Sequence, residues 1–333
     1  MERKIRVGIF GVGHNHGAEK VKTLKRRDDV EIVGLCEENA EMLAKRLKEN
    51  ADVYGDIPVV SKETLFVSGL DAALVETSVP ELVDMSLACA EHGLHVHMDK
   101  PAGTDLKAYA KLLKLLEEKN LVFQTGYMYR YNAGYLYLKE KIEEGALGKI
   151  YNVSAQMSTK HPVWFKKQLL SYGVQAPVMY IFGGHLLDLC MKIKGEPKSV
   201  QAWHFRSQND EVDLEDTSLA VLSYEDGAAT IKVSSVEVNG WGMREFTVCG
   251  EKGTIALRPI ENPLTVHETY LDTQQPWQDR YTEVPLSEAG RYDLMMQEFV
   301  ESVRGDRPND SDYKHEYLLQ KYTLEACGYK IEE

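Results

Sequence analysis

The first 125 residues alternate two rhythms, and that alternation restricts the fold more than any single motif. Segments 5–10, 30–36, 72–76, 95–98 and 122–125 are short apolar or β-branched runs. Between them, 18–27, 40–50, 80–92 and 106–120 read as helices, the third closed by Gly93. Strands separated by helices of this length form βαβ units and a parallel sheet. Ligands on such sheets bind beyond the carboxyl ends of the strands. The residues that follow each strand are therefore the places to look for chemistry.

The first such place is GVGHNHG, residues 11–17, between the first strand and the first helix. Gly11 permits a tight turn, and Gly13 lets backbone amides approach a pyrophosphate with no side chain in the way. The third glycine of a dinucleotide fingerprint falls at position 16, where this chain has His16, with Gly17 next. His14, Asn15 and His16 are thus loop residues at the expected phosphate site. Glu37 ends the second strand, 24 positions after Gly13, where the usual acidic residue lies about 20 on. A carboxylate there accepts the ribose hydroxyls and repels a 2′-phosphate, so NAD is expected over NADP. A glycine turn in an α/β sheet with no nucleotide is the alternative.

The second place is HVHMDKPAG, residues 95–103. Pro101 forces an extended conformation on the residue before it, so Lys100 is expected at the carboxyl edge of the sheet. A lysine there can donate to a substrate oxygen and help move its proton, the more so if burial lowers its pKa. A solvated lysine at a strand end is the ordinary alternative. His14/His16 and His95/His97 are two His-x-His pairs, and the latter share one strand face. Neither has an evident third ligand nearby in sequence, so no metal is expected.

Beyond a helical segment at 133–144 the rhythm changes. Strands are expected at 150–158, 199–205, 218–224, 228–238, 245–249 and 254–257. Glu225-Asp226-Gly227 and Gly250-Glu251-Lys252-Gly253 are hairpin signals between neighbouring strands. Helices are expected at 185–194, 292–303 and 314–329. The expectation is a Rossmann-type doubly wound parallel sheet over 1–125, followed by an α+β domain with a large, mostly antiparallel open sheet over 126–333.

These residues carry a resemblance. GVGHNH, TSVP at 77–80, DKP at 99–101 and QTGYMYRYN at 124–132 resemble the Gfo/Idh/MocA oxidoreductases over nearly the whole chain. The resemblance implies an NAD-binding domain to which Thr77, Ser78, Val79, Asp99, Lys100 and Pro101 contribute, with nicotinamide beside the lysine. That family usually has Glu-Lys-Pro, so Asp99 is a shorter carboxylate in its place. A second motif, Asp-x-Gly-x-His, aligns with Ile181 to His185, the latter in GGHLLDLCMKIKGEP (183–197). It implies that His185 is the catalytic histidine, while the family's aspartate is replaced by Ile181.

An imidazole with an ordinary pKa near 6.5 suits proton transfer at neutral pH. His185 is the expected base and Lys100 the group that holds the substrate oxygen. Asp188, at i+3, shares a helix face with His185; it either supports the imidazole or belongs to a structural network. Tyr127, Arg130, His161, Trp164 and Tyr172 are candidate substrate residues, since aromatic faces suit the C–H surfaces of sugars and inositols. The expected reaction is hydride transfer between NAD(H) and a secondary hydroxyl or ketone of such a polyol. Two alternatives stay open: an NAD-assisted sugar transformation through a transient ketone, and a sensor of NAD and sugar without catalysis.

The net charge of −13 argues against nucleic acid as a partner. No apolar run reaches the ~18 residues of a membrane span, and no signal-peptide h-region is apparent. Five scattered cysteines without CxxC spacing suit a reducing cytoplasm. The second-domain sheet is expected to form a homodimer or homotetramer.

Overall fold

The computed structural model describes residues 3–274, 280–287 and 289–331. The chain forms two compact units, neither of them continuous: Met1–Met128 with Gly290–Tyr317, and Tyr129–Ala289 with Leu318–Glu333. The chain first passes from one unit to the other after residue 128, and the segment from Gly290 returns to the first unit.

The first unit is built on five strands, β1 (Ile5–Phe10), β2 (Val30–Cys36), β3 (Ala72–Val75), β4 (His95–Met98) and β5 (Phe123–Thr125). They lie in the order β2-β1-β3-β4-β5, all parallel. Helices α1 (Gly17–Lys25), α2 (Ala40–Glu49), α5 (Leu82–Glu91) and α6 (Leu106–Glu118) connect them, with short α3 (Ala51–Tyr54) and α4 (Lys62–Phe66) before β3. Val7, Ile9, Leu74, Val96 and Met98 are fully buried, as strands covered on both faces must be. The strand order reverses between β1 and β3, so the loops after these two strands border the switch point where ligands bind.

The returning segment carries α10 (Asp293–Arg304), which packs on α1 and β1. Its Met295, Met296, Phe299 and Val300 are buried, and Arg304 pairs with Asp29 at 2.5 Å. An apolar stripe at helical spacing finds its partner surface regardless of chain position, which is why α10 joins the first unit.

The second unit contains an eight-stranded sheet in the order β13-β12-β11-β10-β6-β9-β8-β7. These are β6 (Ile150–Ser158), β7 (Ser199–Phe205), β8 (Thr217–Tyr224), β9 (Gly227–Ser234), β10 (Glu245–Gly250), β11 (Gly253–Leu257), β12 (Val266–Tyr270) and β13 (Thr282–Val284). Every neighbouring pair is antiparallel except β6 with β9. Val153, Ala155, Ala220, Leu222, Ile231, Val233 and Val248 are buried on one face. That face receives α9 (Gly184–Lys194), which packs on β6 and β9. Helices α7 (Ala133–Glu143) and α8 (Val163–Ser171) also belong to this unit, as does α11 (Tyr313–Ala326) from Leu318 onward.

Strand β9 ends at Ser234, four residues short of expectation, because the chain turns there toward a left-handed Asn239. Strands β12 and β13 and helices α3, α4 and α8 lie where no element was expected. None of the described helices is long and apolar enough to cross a membrane.

Candidate active site

The loop after β1 is shaped by close backbone approach. Gly11 has φ +87°, and a Cβ there would stand 2.5 Å from the Thr77 Cα. A Cβ on Gly13 would meet the Ser78 nitrogen at 2.8 Å. The loop is therefore pressed against Thr77-Ser78 at the end of β3, and only glycine fits either position. Such a bare backbone turn leading into a helix N-terminus suits a pyrophosphate. Glu37 is fixed beside it, accepting from the Val12 N–H at 3.0 Å and the Asn39 N–H at 2.9 Å. Arg46 of α2 was not expected here. Its guanidinium donates to the Gly13 carbonyl at 3.0 Å and to the Asn15 side-chain oxygen at 2.6 Å.

Beneath the loop lies a buried ionic cluster. Lys20 of α1 is fully buried and donates to Glu76 at 2.7 Å and to Asp99. Asp99 Oδ2 also faces His14 Nδ1 at 3.0 Å and His16 Nδ1 at 3.3 Å. Burial works against the Lys20 ammonium, but Asp99 and Glu76 outweigh it and raise its pKa. Burial also opposes charge on Asp99, yet the Lys20 ammonium bonded to it holds its carboxyl well below the usual range. Glu76, by contrast, is pushed up by burial. Burial keeps both loop imidazoles neutral, lowering His14 and taking His16 down to about 3. The ligand atoms of His14, His16 and Asp99 lie within 4.8 Å of one another, a spacing open to a metal ion. Lys20 already supplies a cation at the shared Asp99 oxygen.

Lys100 follows directly at the end of β4 and is 3% exposed, not solvated like an ordinary strand-end lysine. Its N–H donates to Asp99 Oδ1 at 2.7 Å, and its peptide bond to Pro101 is cis. The second His-x-His pair is structural in its contacts. His95 Nδ1 accepts from the Val122 N–H at 2.8 Å, and His97 Nδ1 meets the Gln124 side chain at 2.9 Å. Burial takes His97 down to about 3.

In the second unit, His185 is the second residue of α9 and is 3% exposed. Its ring meets that of Tyr129 edge-on, with centroids 5.4 Å apart. Tyr129 donates to Glu261, which also accepts from Arg244 at 2.7 Å. Asp188 accepts two bonds from Arg130, at 2.7 and 2.8 Å. This is a bidentate pair that fixes Arg130. Ile181 is buried in a π-helical turn, Met179–Gly183, directly before α9. Single π-turns often mark functional sites. Here the turn delivers His185 without the carboxylate four residues earlier.

The other candidate residues have distinct settings. Tyr127 is buried in the first unit. In the second, His161 stacks between Phe165 and Phe182, with centroids 4.6 and 5.0 Å away. Burial takes its imidazole down to about 4. Trp164 is 66% exposed on α8. The Tyr172 hydroxyl accepts from the Gln168 side chain at 3.1 Å. Lys20, Glu76, Arg46, Arg244 and Glu261 escaped sequence reading. Only Lys20 had a local signal: with Gly17, Val21 and Leu24 it falls on the buried stripe of α1.

The description "Oxidoreductase family, NAD-binding Rossmann fold" matches residues 5–127, and "GFO/IDH/MocA C-terminal domain" matches residues 135–256. The chain is 25% identical to a myo-inositol 2-dehydrogenase of Thermotoga maritima, covering 99% of each chain. It is 23% identical to a scyllo-inositol 2-dehydrogenase (NAD(+)) of Bacillus subtilis, covering 92% of this chain and 88% of that one. Among solved structures, the WlbA dehydrogenase of Bordetella pertussis, in complex with NADH and UDP-GlcNAcA, superposes with a TM-score of 0.77. That pair is 22% identical, over 98% of this chain and 95% of the other, a likeness of fold. With the glycine cradle, the buried Lys100 and both family matches in place, this chain belongs to the Gfo/Idh/MocA family of oxidoreductases.

Proposed function

We propose that this protein is an NAD(H)-dependent dehydrogenase that moves a hydride between nicotinamide and a secondary hydroxyl or ketone of a sugar, inositol or related polyol. The observation that carries this reading is Lys100, buried at the end of β4 beside a backbone cradle that admits no side chain. The names of the inositol dehydrogenases similar to this chain point to the substrate class. The Gly11–Gly13 loop, with Thr77, Ser78 and Val79, holds the dinucleotide. Glu37 favours NAD, since its carboxylate accepts ribose hydroxyls and repels a 2′-phosphate.

Bound NAD supplies the hydride acceptor. Lys100 donates to the reacting oxygen of the substrate and lowers the cost of charge building there. His185 takes the hydroxyl proton during oxidation and returns it during reduction. Tyr127, Arg130, His161, Trp164 and Tyr172 line the substrate, and Asp188 fixes Arg130. The outer face of the second sheet forms a homodimer or homotetramer, and the protein works in the cytoplasm.

Ile181 favours a second reading, a protein that senses NAD and a polyol without turnover, because it removes the carboxylate expected to assist the base. Fluorescence titration with NADH and NADPH tests the cofactor part. Saturable NADH binding at least tenfold tighter than NADPH is expected, and absence of saturable binding to either overturns the proposal. A Lys100→Met variant with undiminished turnover removes the catalytic assignment alone.

A further inference from the structure

We propose that His14 is a positioning residue for Lys100, so that the loop expected to hold the nucleotide also sets the place of the lysine. This rests on the reading of Lys100 given above. The observation is a clamp on one residue's main chain. Asp99 Oδ1 accepts from the Lys100 N–H at 2.7 Å, and His14 Nε2 stands 3.2 Å from the Lys100 carbonyl oxygen. The next residue, Pro101, has no N–H to add to the hold. Both polar groups of the Lys100 backbone are thus held by side chains of one buried cluster. A main chain held at both ends fixes the direction in which its side chain leaves, and a displacement of about 1 Å at a reacting group can cost ~10²-fold in rate.

The carbonyl can only accept, so His14 carries its proton on Nε2. Nδ1 then has a lone pair, to which the His16 N–H points at 3.4 Å. That lone pair also faces Asp99 Oδ2 at 3.0 Å, an arrangement that repels unless a cation stands close. Lys20 is that cation, bonded to Asp99 and Glu76. The charged and titratable groups packed around His14 are therefore Asp99, Lys20, Glu76, His16 and Lys100. Lys20 neutralises the carboxylate, the carboxylate holds the Lys100 N–H, and neutral His14 holds the Lys100 carbonyl.

The loop's own anchor does not depend on the His14 side chain. The His14 main-chain N–H donates to the Glu76 carbonyl at 2.9 Å, and its carbonyl accepts from Gly17 at 3.3 Å. The imidazole can be exchanged while those bonds remain, which separates its effect on Lys100 from its effect on the fold. A glutamine is long enough to offer an amide N–H near the place of Nε2, whereas phenylalanine keeps the ring and offers nothing to the carbonyl.

The test compares wild type, His14→Phe and His14→Gln labelled with ¹⁵N-lysine, following the main-chain amide resonance of Lys100, assigned by its loss in Lys100→Arg. The resonance is expected to shift or broaden in His14→Phe and to return to its wild-type position in His14→Gln. An unmoved resonance in His14→Phe, or an equal disturbance in both variants, overturns the proposal. The readout requires no substrate, so a Lys100→Met variant with full turnover would remove the catalytic reading and leave this result standing.

Discussion

Lys20 is the residue whose environment departs most from its type. A fully buried ammonium survives only because two carboxylates meet it. Lys20→Met leaves Asp99 and Glu76 without their cation and is expected to cost about 3–5 kcal/mol, measured by urea unfolding. Arg130→Met strands Asp188 in the same way, and an additional Asp188→Leu change should restore much of the loss, since an apolar pair of similar volume tolerates that interior. The buried histidines give a pH signature. His16 and His97 have folded values of about 3 against 6.5 when exposed. Between those values the unfolded chain binds protons that the folded one refuses, so stability falls as pH drops below 6.5 and this loss levels off below 3. Each such group contributes a slope of about 1.4 kcal/mol per pH unit. His97→Gln should flatten the measured slope over pH 4–6 by close to one proton; an unchanged slope would show that His97 is not held neutral.

At the scale of elements, the glycine loop fixes its own requirements. Gly11→Ala places a Cβ 2.5 Å from the Thr77 backbone at a φ of +87°. Expected results are loss of NADH binding and a lowered Tm, measured by titration and thermal unfolding. Gly13→Ala meets the Ser78 nitrogen at 2.8 Å and should weaken NADH binding at least tenfold with a smaller effect on Tm. The parallel sheet was legible because strands buried on both faces read as apolar runs between amphipathic helices, as β1 and β3 do. Helix α8 was not legible, because its stretch VWFKKQLLS mixes exposed Trp164 with buried Lys166 and shows no clean apolar stripe. The local part of the candidate site, from Gly11 to His16 with Asp99 and Lys100, stood out for its position after strands. Its supports did not: Lys20 and Asp99 are 79 residues apart, and Arg244 meets Tyr129 from 115 residues away. Such pairings are set by packing, and no spacing in the chain announces them.

For the molecule as a whole, the proposed assembly would use the outer face of the eight-stranded sheet. Gln156, Thr230, Lys232 and Thr247 sit half-buried on it, and toward the β7 edge Trp203 and Leu219 are 46% and 38% exposed. Assembly through this face predicts that Trp203→Glu with Leu219→Lys lowers the mass seen by sedimentation equilibrium to that of one chain, while NADH binding in the first unit stays within threefold. The proposed reaction is tested most directly by following the hydride itself. The protein is incubated with NAD and with inositols and hexoses deuterated at their secondary carbons, and the nicotinamide is analysed by mass spectrometry. One deuterium transferred as hydride to nicotinamide C4 from at least one polyol, at a rate lowered at least a hundredfold in Lys100→Met, is the predicted result. Saturable NADH binding with no deuterium transferred from any member of the panel would contradict it and leave the sensing role in its place.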